Sequence, residues 1–186
     1  MNRSLKVALK EWDVVCRALG EGRQMLLLRK GGISEGIGGF EIEHRQFFLF
    51  PTFLHQKLDM LKPAEQAKMV ARTDEPEDIT LSYAGEIVDI LQLRSREQMD
   101  RLEAEHIWAP PLLDMRFNYK PKNPLYLLTV RAYRLASPVT IRNTPDYAGC
   151  KSWVPLEKAI EFEASPVMDD AAFAARRDRI KSVVHE

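Results

Sequence analysis

A chain of 186 residues, 45% apolar and 29% charged, holds enough apolar material for a full hydrophobic core, and its composition is neither disordered nor fibrous. Its 27 lysines and arginines balance 27 aspartates and glutamates, so no net field draws the whole molecule onto nucleic acid or anionic lipid. Any polyanion must be held by a local patch.

The first segment, MNRSLKVALKEW, carries charges where a secretory leader needs an apolar stretch. Ser4 stands as a helix N-cap, and Leu5, Leu9, Trp12, Cys16 and Leu19 follow at helical spacing, which predicts a helix over about 4–20 that Gly20 and Gly22 stop. Cys16 lies on the buried stripe of that helix and reads as a small core hydrophobe. Gln24–Arg29 is a short apolar run of the kind that forms a strand buried on both faces. The glycine-rich GGISEGIGG then leads into FEIEH and FFLF. A phosphate-binding loop needs Gly-Lys-Ser/Thr opening a helix, and that pattern is absent here, so a hairpin built on positive-φ glycines is the better reading. FFLF, ended by Pro51, reads as a core strand flanked by His44 and His55.

Leu54, Leu58 and Leu61 predict a second amphipathic helix, which Pro63 closes or follows with another. TDEPED (73–78) is a loop, and beyond it Ile79, Leu81 and Tyr83 alternate as in a strand, followed by a second apolar stretch from Ile87 to Leu93. Ser95 caps a helix to about Glu105; Leu125–Leu135 is the longest strand candidate, ended by Ser137 and Pro138; and Asp169 and Asp170 open a last helix with Phe173, Arg177, Ile180 and Val184 on one stripe. Helices and strands that do not alternate regularly predict an α+β fold in a single domain. The expected arrangement is an N-terminal helix (4–20), a mostly antiparallel sheet or small barrel (23–156) and a helical tail (157–186).

Charge is unevenly distributed. Ten acids between Asp74 and Glu105 face three arginines, whereas seven bases between Arg116 and Lys151 face only Asp146. The simplest expectation is that the two segments neutralise each other. Cys16 and Cys150 have no metal or redox spacing, and no apolar run reaches the ~18 residues of a membrane helix, so a reducing cytoplasm and no membrane partner are expected. Nothing in the sequence specifies an oligomeric state. Glu41, Glu43, His44, His55, His106 and Cys150 offer ligand chemistry without any metal-binding spacing, and no metal or other cofactor is expected.

Along the strand at 125–135, Arg131 and Tyr133 share one face, where a guanidinium can fork onto phosphate and an aromatic ring can stack on a base. A competing candidate is a metal-dependent, nuclease-like hydrolase using Glu41, Glu43, Glu86 and Asp89. In a third reading, the charged segments serve a protein partner.

KEWDVVCRAL, LLLRKGGISE, FFLFPTFLHQ, HIW and YAGCKSWVPL, in that order, resemble the bacterial family called domain of unknown function 1802, over Leu9 to Leu156. That resemblance implies no activity. A tryptophan (Trp12), then GRQMLLLR (22–29) at a Gly-x-Lys-x-x-Glu-x-Arg motif, then LLTVRAYRLASP, are more distantly similar to the ASCH group of the PUA-like superfamily, which implies a small barrel and an association with RNA. Only Gly22 and Arg29 match that motif. Gln24 and Leu27 stand at its lysine and glutamate, which counts against a hydrolytic activity built on those two groups. The resemblance and the basic segment together predict RNA or a nucleotide as partner, with Arg29, Lys30, Arg116 and Arg131 at the ligand and Tyr133, His44 and His55 as further candidates.

Overall fold

The computed structural model describes residues 4–30, 35–36, 39–40, 43–149 and 151–186. Its first element is a strand, β1 (Ser4–Trp12), so the expected helix over 4–20 survives only as α1 (Asp13–Gly20). Leu5, Val7 and Leu9 fit a period of two as well as Leu5, Leu9 and Trp12 fit 3.6, and pairing with two neighbouring strands decides for the strand. Gly22, at φ 72°, turns the chain out of α1. β2 (Leu26–Arg29) follows, buried throughout. Among the described residues of the glycine-rich stretch, β3 (Glu35–Gly36) and β4 (Gly39–Phe40) pair antiparallel.

β5 (Gln46–Thr52) contains FFLF. The helix expected on Leu54, Leu58 and Leu61 is absent: Leu58–Met60 is a single 3-10 turn, and Leu54 and Leu58 are exposed. Pro63 opens the short α2 (Pro63–Gln66). The two apolar stretches after TDEPED are one strand, β6 (Asp78–Leu93), whose irregularities between Leu81 and Tyr83 and between Ile87 and Asp89 break the alternation. α3 (Arg96–Arg101) starts at a capping box in which the Gln98 side chain accepts from the Ser95 N–H at 3.2 Å. α4 (Pro110–Asn118) starts on two prolines.

β7 (Leu125–Arg142) runs past Pro138, because the β6–β7 register shifts between Arg134 and Val139 and the proline falls within that irregular stretch. The expected helical tail from 157 is instead the end of β8 (Trp153–Glu161), then β9 (Ala164–Pro166) and α5 (Asp170–His185).

The fold is α+β, with a seven-stranded sheet in the order β2-β7-β6-β5-β1-β8 and β9 added alongside β7. Only β1 and β5 run parallel among the described strands, and the sheet does not close into a barrel. Alternation in β5 explains its two cores: Phe47 and Leu49 join the larger cluster, which also takes in residues of α1, α4 and α5, while Phe48 and Phe50 join a cluster with Leu81, Leu135, Tyr147 and Leu156. The outer strand β8 buries Val154, Leu156 and Ile160 and exposes Pro155, Glu157, Lys158 and Glu161. Among the described residues, no helix is long and apolar enough to cross a membrane.

Gly85 lies where these layers meet. A Cβ there would stand 2.9 Å from the Phe47 ring and 3.0 Å from Val130. Gly85→Ala is expected to destabilise the fold by about 1–3 kcal/mol, seen as a lower urea midpoint with an unchanged m-value.

Candidate functional site

Although the sheet is open, its curl brings the end of β2 back to the end of β1. Arg29, 7% exposed, donates from one terminal nitrogen to Glu11 Oε2 at 2.7 Å and to the Leu28 carbonyl at 2.9 Å, and from the other to the Lys10 carbonyl at 3.3 Å. Glu11 Oε1 accepts the Trp12 N–H at 3.1 Å, so both carboxylate oxygens are occupied. Lys30, next along the chain, donates to the Phe117 carbonyl at 2.6 Å and so satisfies an end of α4. Burial lowers the pKa of that ammonium.

Over this junction lies a cleft of about 420 Å³, lined by Lys10, Glu11, Trp12, Arg29, Lys30, Thr52, Arg116, Tyr119, Lys120, Lys151 and Ser152. Six cations thus surround one carboxylate, and that carboxylate is already paired with Arg29. Among the described residues, Arg116, Lys120 and Lys151 form no ion pair. Arg116 stands in the last turn of α4 with its Nε buried and without an acceptor. Burial is the main cause lowering its pKa, with Arg29 adding to the effect and Glu11 opposing it. A guanidinium does not deprotonate in proteins, so the half-buried group keeps its charge at the wall of the cleft. Lys120 adopts φ 42°, an uncommon conformation for a non-glycine residue, just past α4, and its Nζ lies 5.5 Å from the centre of the Tyr119 ring.

A second cavity, about 550 Å³, adjoins the first and shares Lys10, Thr52 and Lys151 with it. His55 lines it, as do Phe50, Leu54, Thr144, Pro145 and Tyr147.

The structure therefore brings Arg29, Lys30 and Arg116 to one cleft and His55 to its neighbour. The other sequence candidates lie elsewhere. His44 packs edge-on against Trp153 at 5.4 Å, and β5 separates it from His55. Arg131 pairs with Asp170 at the start of α5, and its guanidinium lies over Tyr133 and Phe173 at 5.9 and 5.2 Å. Tyr126 is the β7 residue opposite Arg29, so Arg131 stands five residues, or roughly 17 Å, further along that strand. Tyr133 donates to Glu86 at 3.4 Å. Arg134, expected to need a buried partner, is exposed and donates to the Gly20 carbonyl at 3.1 Å.

Among the described residues, the carboxylates of the hydrolase reading do not converge on a site. Glu86 accepts from Gln46 at 2.9 Å as well as from Tyr133. Asp89 receives a bidentate fork from Arg177 at 2.6 and 2.7 Å and the Thr129 hydroxyl at 2.7 Å, bonds that hold its pKa down to about 2. Glu43 is exposed beside His44, and Glu41 and Cys150 lie outside the described residues. No group of three His, Cys, Asp or Glu among the described residues is placed to hold a metal ion. Cys16 is buried, and its thiol pKa is raised chiefly by burial, which makes it a core residue rather than a nucleophile.

The acidic segment is neutralised mainly from α5 rather than by the basic segment. Asp89 pairs with Arg177 and Lys181, and Glu105 with Arg176 and Arg179. Between the two segments themselves, among the described residues only Arg142 forms pairs, with Glu77 and Asp78. Arg116, Lys120 and Lys151 are left over, which is how a neutral chain acquires a basic cleft. Sequence reasoning missed Lys10, Trp12 and Tyr119 as neighbours of this cleft, since the β1 strand that carries the first two read as helix.

The α+β fold and this cleft define the chain as far as geometry goes. Residues 8–179 match the family described as Domain of unknown function (DUF1802), and the chain belongs to that family. No curated protein matches it. Among solved structures, a mutant of the ASCH protein ZmASCH from Zymomonas mobilis is similar at 11% identity, over 82% of this chain and 90% of that one, with a TM-score of 0.47. At that score the two chains share a loose likeness.

Proposed function

We propose that this protein is a binding module for RNA or a nucleotide, which it holds by phosphate in the basic cleft. The observation that carries this reading is Arg116: a half-buried side chain at the cleft wall, its Nε buried without an acceptor and with no ion pair among the described residues, beside two further lysines that lack ion pairs. Partly burying a charge without a partner is costly, and an anion bound at the cleft offsets that cost. Phosphate suits it, because a guanidinium forks onto two phosphate oxygens and lysines supply flexible point charges around it. Trp12 and Tyr119 at the same cleft offer ring faces to a base or sugar. Arg29 serves from below, fixing the curl that shapes the cleft, and Arg131 is not part of this site.

The test is equilibrium binding of short single-stranded RNA and of nucleoside monophosphates across a salt series. Affinity is expected to fall as salt rises, by a logarithmic slope of about 0.7 per phosphate neutralised on a single strand. Replacing both Lys120 and Lys151 by Gln is expected to weaken binding about tenfold or more and to flatten the slope by about 1. Affinity independent of salt, or unchanged in the double variant, overturns the reading.

A further inference from the structure

We infer that the apolar compartment beside the basic cleft receives the base of the nucleotide whose phosphate sits among Arg116, Lys120 and Lys151. The inference rests on the binding reading above and names the ligand's second half.

The two cavities share the side chains of Lys10, Thr52 and Lys151, so a ligand anchored at Lys151 by phosphate borders both. Their linings differ in kind. Six cations dominate the first, whereas Phe50, Leu54, Pro145 and Tyr147 contribute apolar surface to the second. At about 550 Å³ the second compartment is within the range of cavities that hold small ligands. Leu54 is 44% exposed at its wall, an uncovered apolar side chain where a ring would gain by burying it.

The compartment wall also contains one unused polar group. Thr144 lines the compartment, and its Oγ1, buried behind the wall with no hydrogen-bond partner among the described residues, meets a ligand atom by rotating about χ1. A base offers donors and acceptors along its edge that suit such a group. The wall carrying Thr144 is held in place: Lys10 Nζ donates to the carbonyls of Tyr147 and, at 3.1 Å, Gly149. Glu75 accepts the N–H groups of Phe53 and Leu54 on the other side, at 3.0 and 3.2 Å. A pre-formed pocket loses little on binding. A free mononucleotide and the end of an RNA strand present the same chemistry, a phosphate with a base one sugar away.

The test titrates ribose 5-phosphate, adenosine and uridine monophosphates, and a short RNA into wild type and into two uncharged variants, Leu54→Asn and Thr144→Val. Leu54 is exposed, and Thr144→Val keeps the side-chain shape while removing a buried unpaired hydroxyl, so thermal midpoints are expected to be no lower than wild type. Wild type is expected to bind at least one nucleoside monophosphate tenfold or more tighter than ribose 5-phosphate. Each variant is expected to shrink that preference at least threefold while leaving ribose 5-phosphate binding unchanged.

If the RNA alone binds and Leu54→Asn weakens it, the occupant is a strand residue. If ribose 5-phosphate and the monophosphates bind alike, or RNA binding ignores both variants, the base compartment is wrong while the basic cleft stands. If none of these ligands binds, both readings fall.

Discussion

Arg116→Met is expected to make the protein more stable and its binding worse. The side chain is a half-buried charge with no ion pair among the described residues: its Nε is buried without an acceptor, and burial is the main cause lowering its pKa, against the pull of Glu11. Replacing such a group by an apolar one of similar length removes a desolvation penalty, with an expected gain of about 1 kcal/mol and a rise of a few degrees in the melting midpoint. The same change deletes the charge-assisted hydrogen bonds that a phosphate would accept, and those are worth about 1.5–3 kcal/mol each, or a loss of roughly ten- to hundredfold in affinity. Opposite signs in one variant mark a residue kept for function at the expense of stability. Measured by thermal melts and phosphate or nucleotide titration on the same preparation, a variant that loses stability, or binds as well as wild type, shows that Arg116 is structural.

The second large effect is on acid stability, and it comes from His106. The ring is 4% exposed, stacks on Trp108 with centroids 5.4 Å apart, and accepts the Trp108 N–H on Nδ1 at 3.2 Å. Protonation would place a hydrogen on Nδ1 against that donor. Burial, followed by the nearby Lys62 charge, lowers its pKa from 6.5 to about 4.

Because the folded state resists the proton that the unfolded chain accepts, the stabilisation is fully present above pH 6.5 and is lost as the pH falls from 6.5 to 4. The expected loss is about 3 kcal/mol across that window. His106→Asn keeps an acceptor near the Nδ1 position without a titrating group. It is expected to remove most of the slope in urea-unfolding free energy between pH 6.5 and 4. If wild type shows no slope there, or the variant keeps it, the origin lies in other groups.

Local pattern carried much of the fold and little of the site. FFLF and LYLLTVRAYRL read as strands because they are short, nearly continuous apolar runs ended by a proline, and α5 read as a helix because Phe173, Ile180 and Val184 fall on one stripe. β1 did not, because its apolar residues satisfy two periods at once and only β5 and β8 beside it choose between them. β6 was split by its irregular registers, which no periodicity shows.

Of the residues that line the candidate cleft, a basic segment and a resemblance single out Arg29, Lys30 and Arg116. They pass over Lys10 and Trp12, because the place of those two in the cleft depends on the curl that joins β1 to β2, a contact between residues remote in sequence. Arg131 was assigned to the ligand because alternation shows which face a side chain takes but not what covers that face. Here α5 covers it, with Asp170 and Phe173.

The outer strand β8 bears on how the molecule behaves in a crowded solution. It pairs with β1 on one side only, and an unpaired strand edge is a template for a strand from another molecule. Pro155 has no N–H to offer such a strand, and Glu157, Lys158 and Glu161 would carry their charges into any shared sheet. The edge is therefore a poor seed for aggregation, and the seven-stranded sheet can end there without a protective cap.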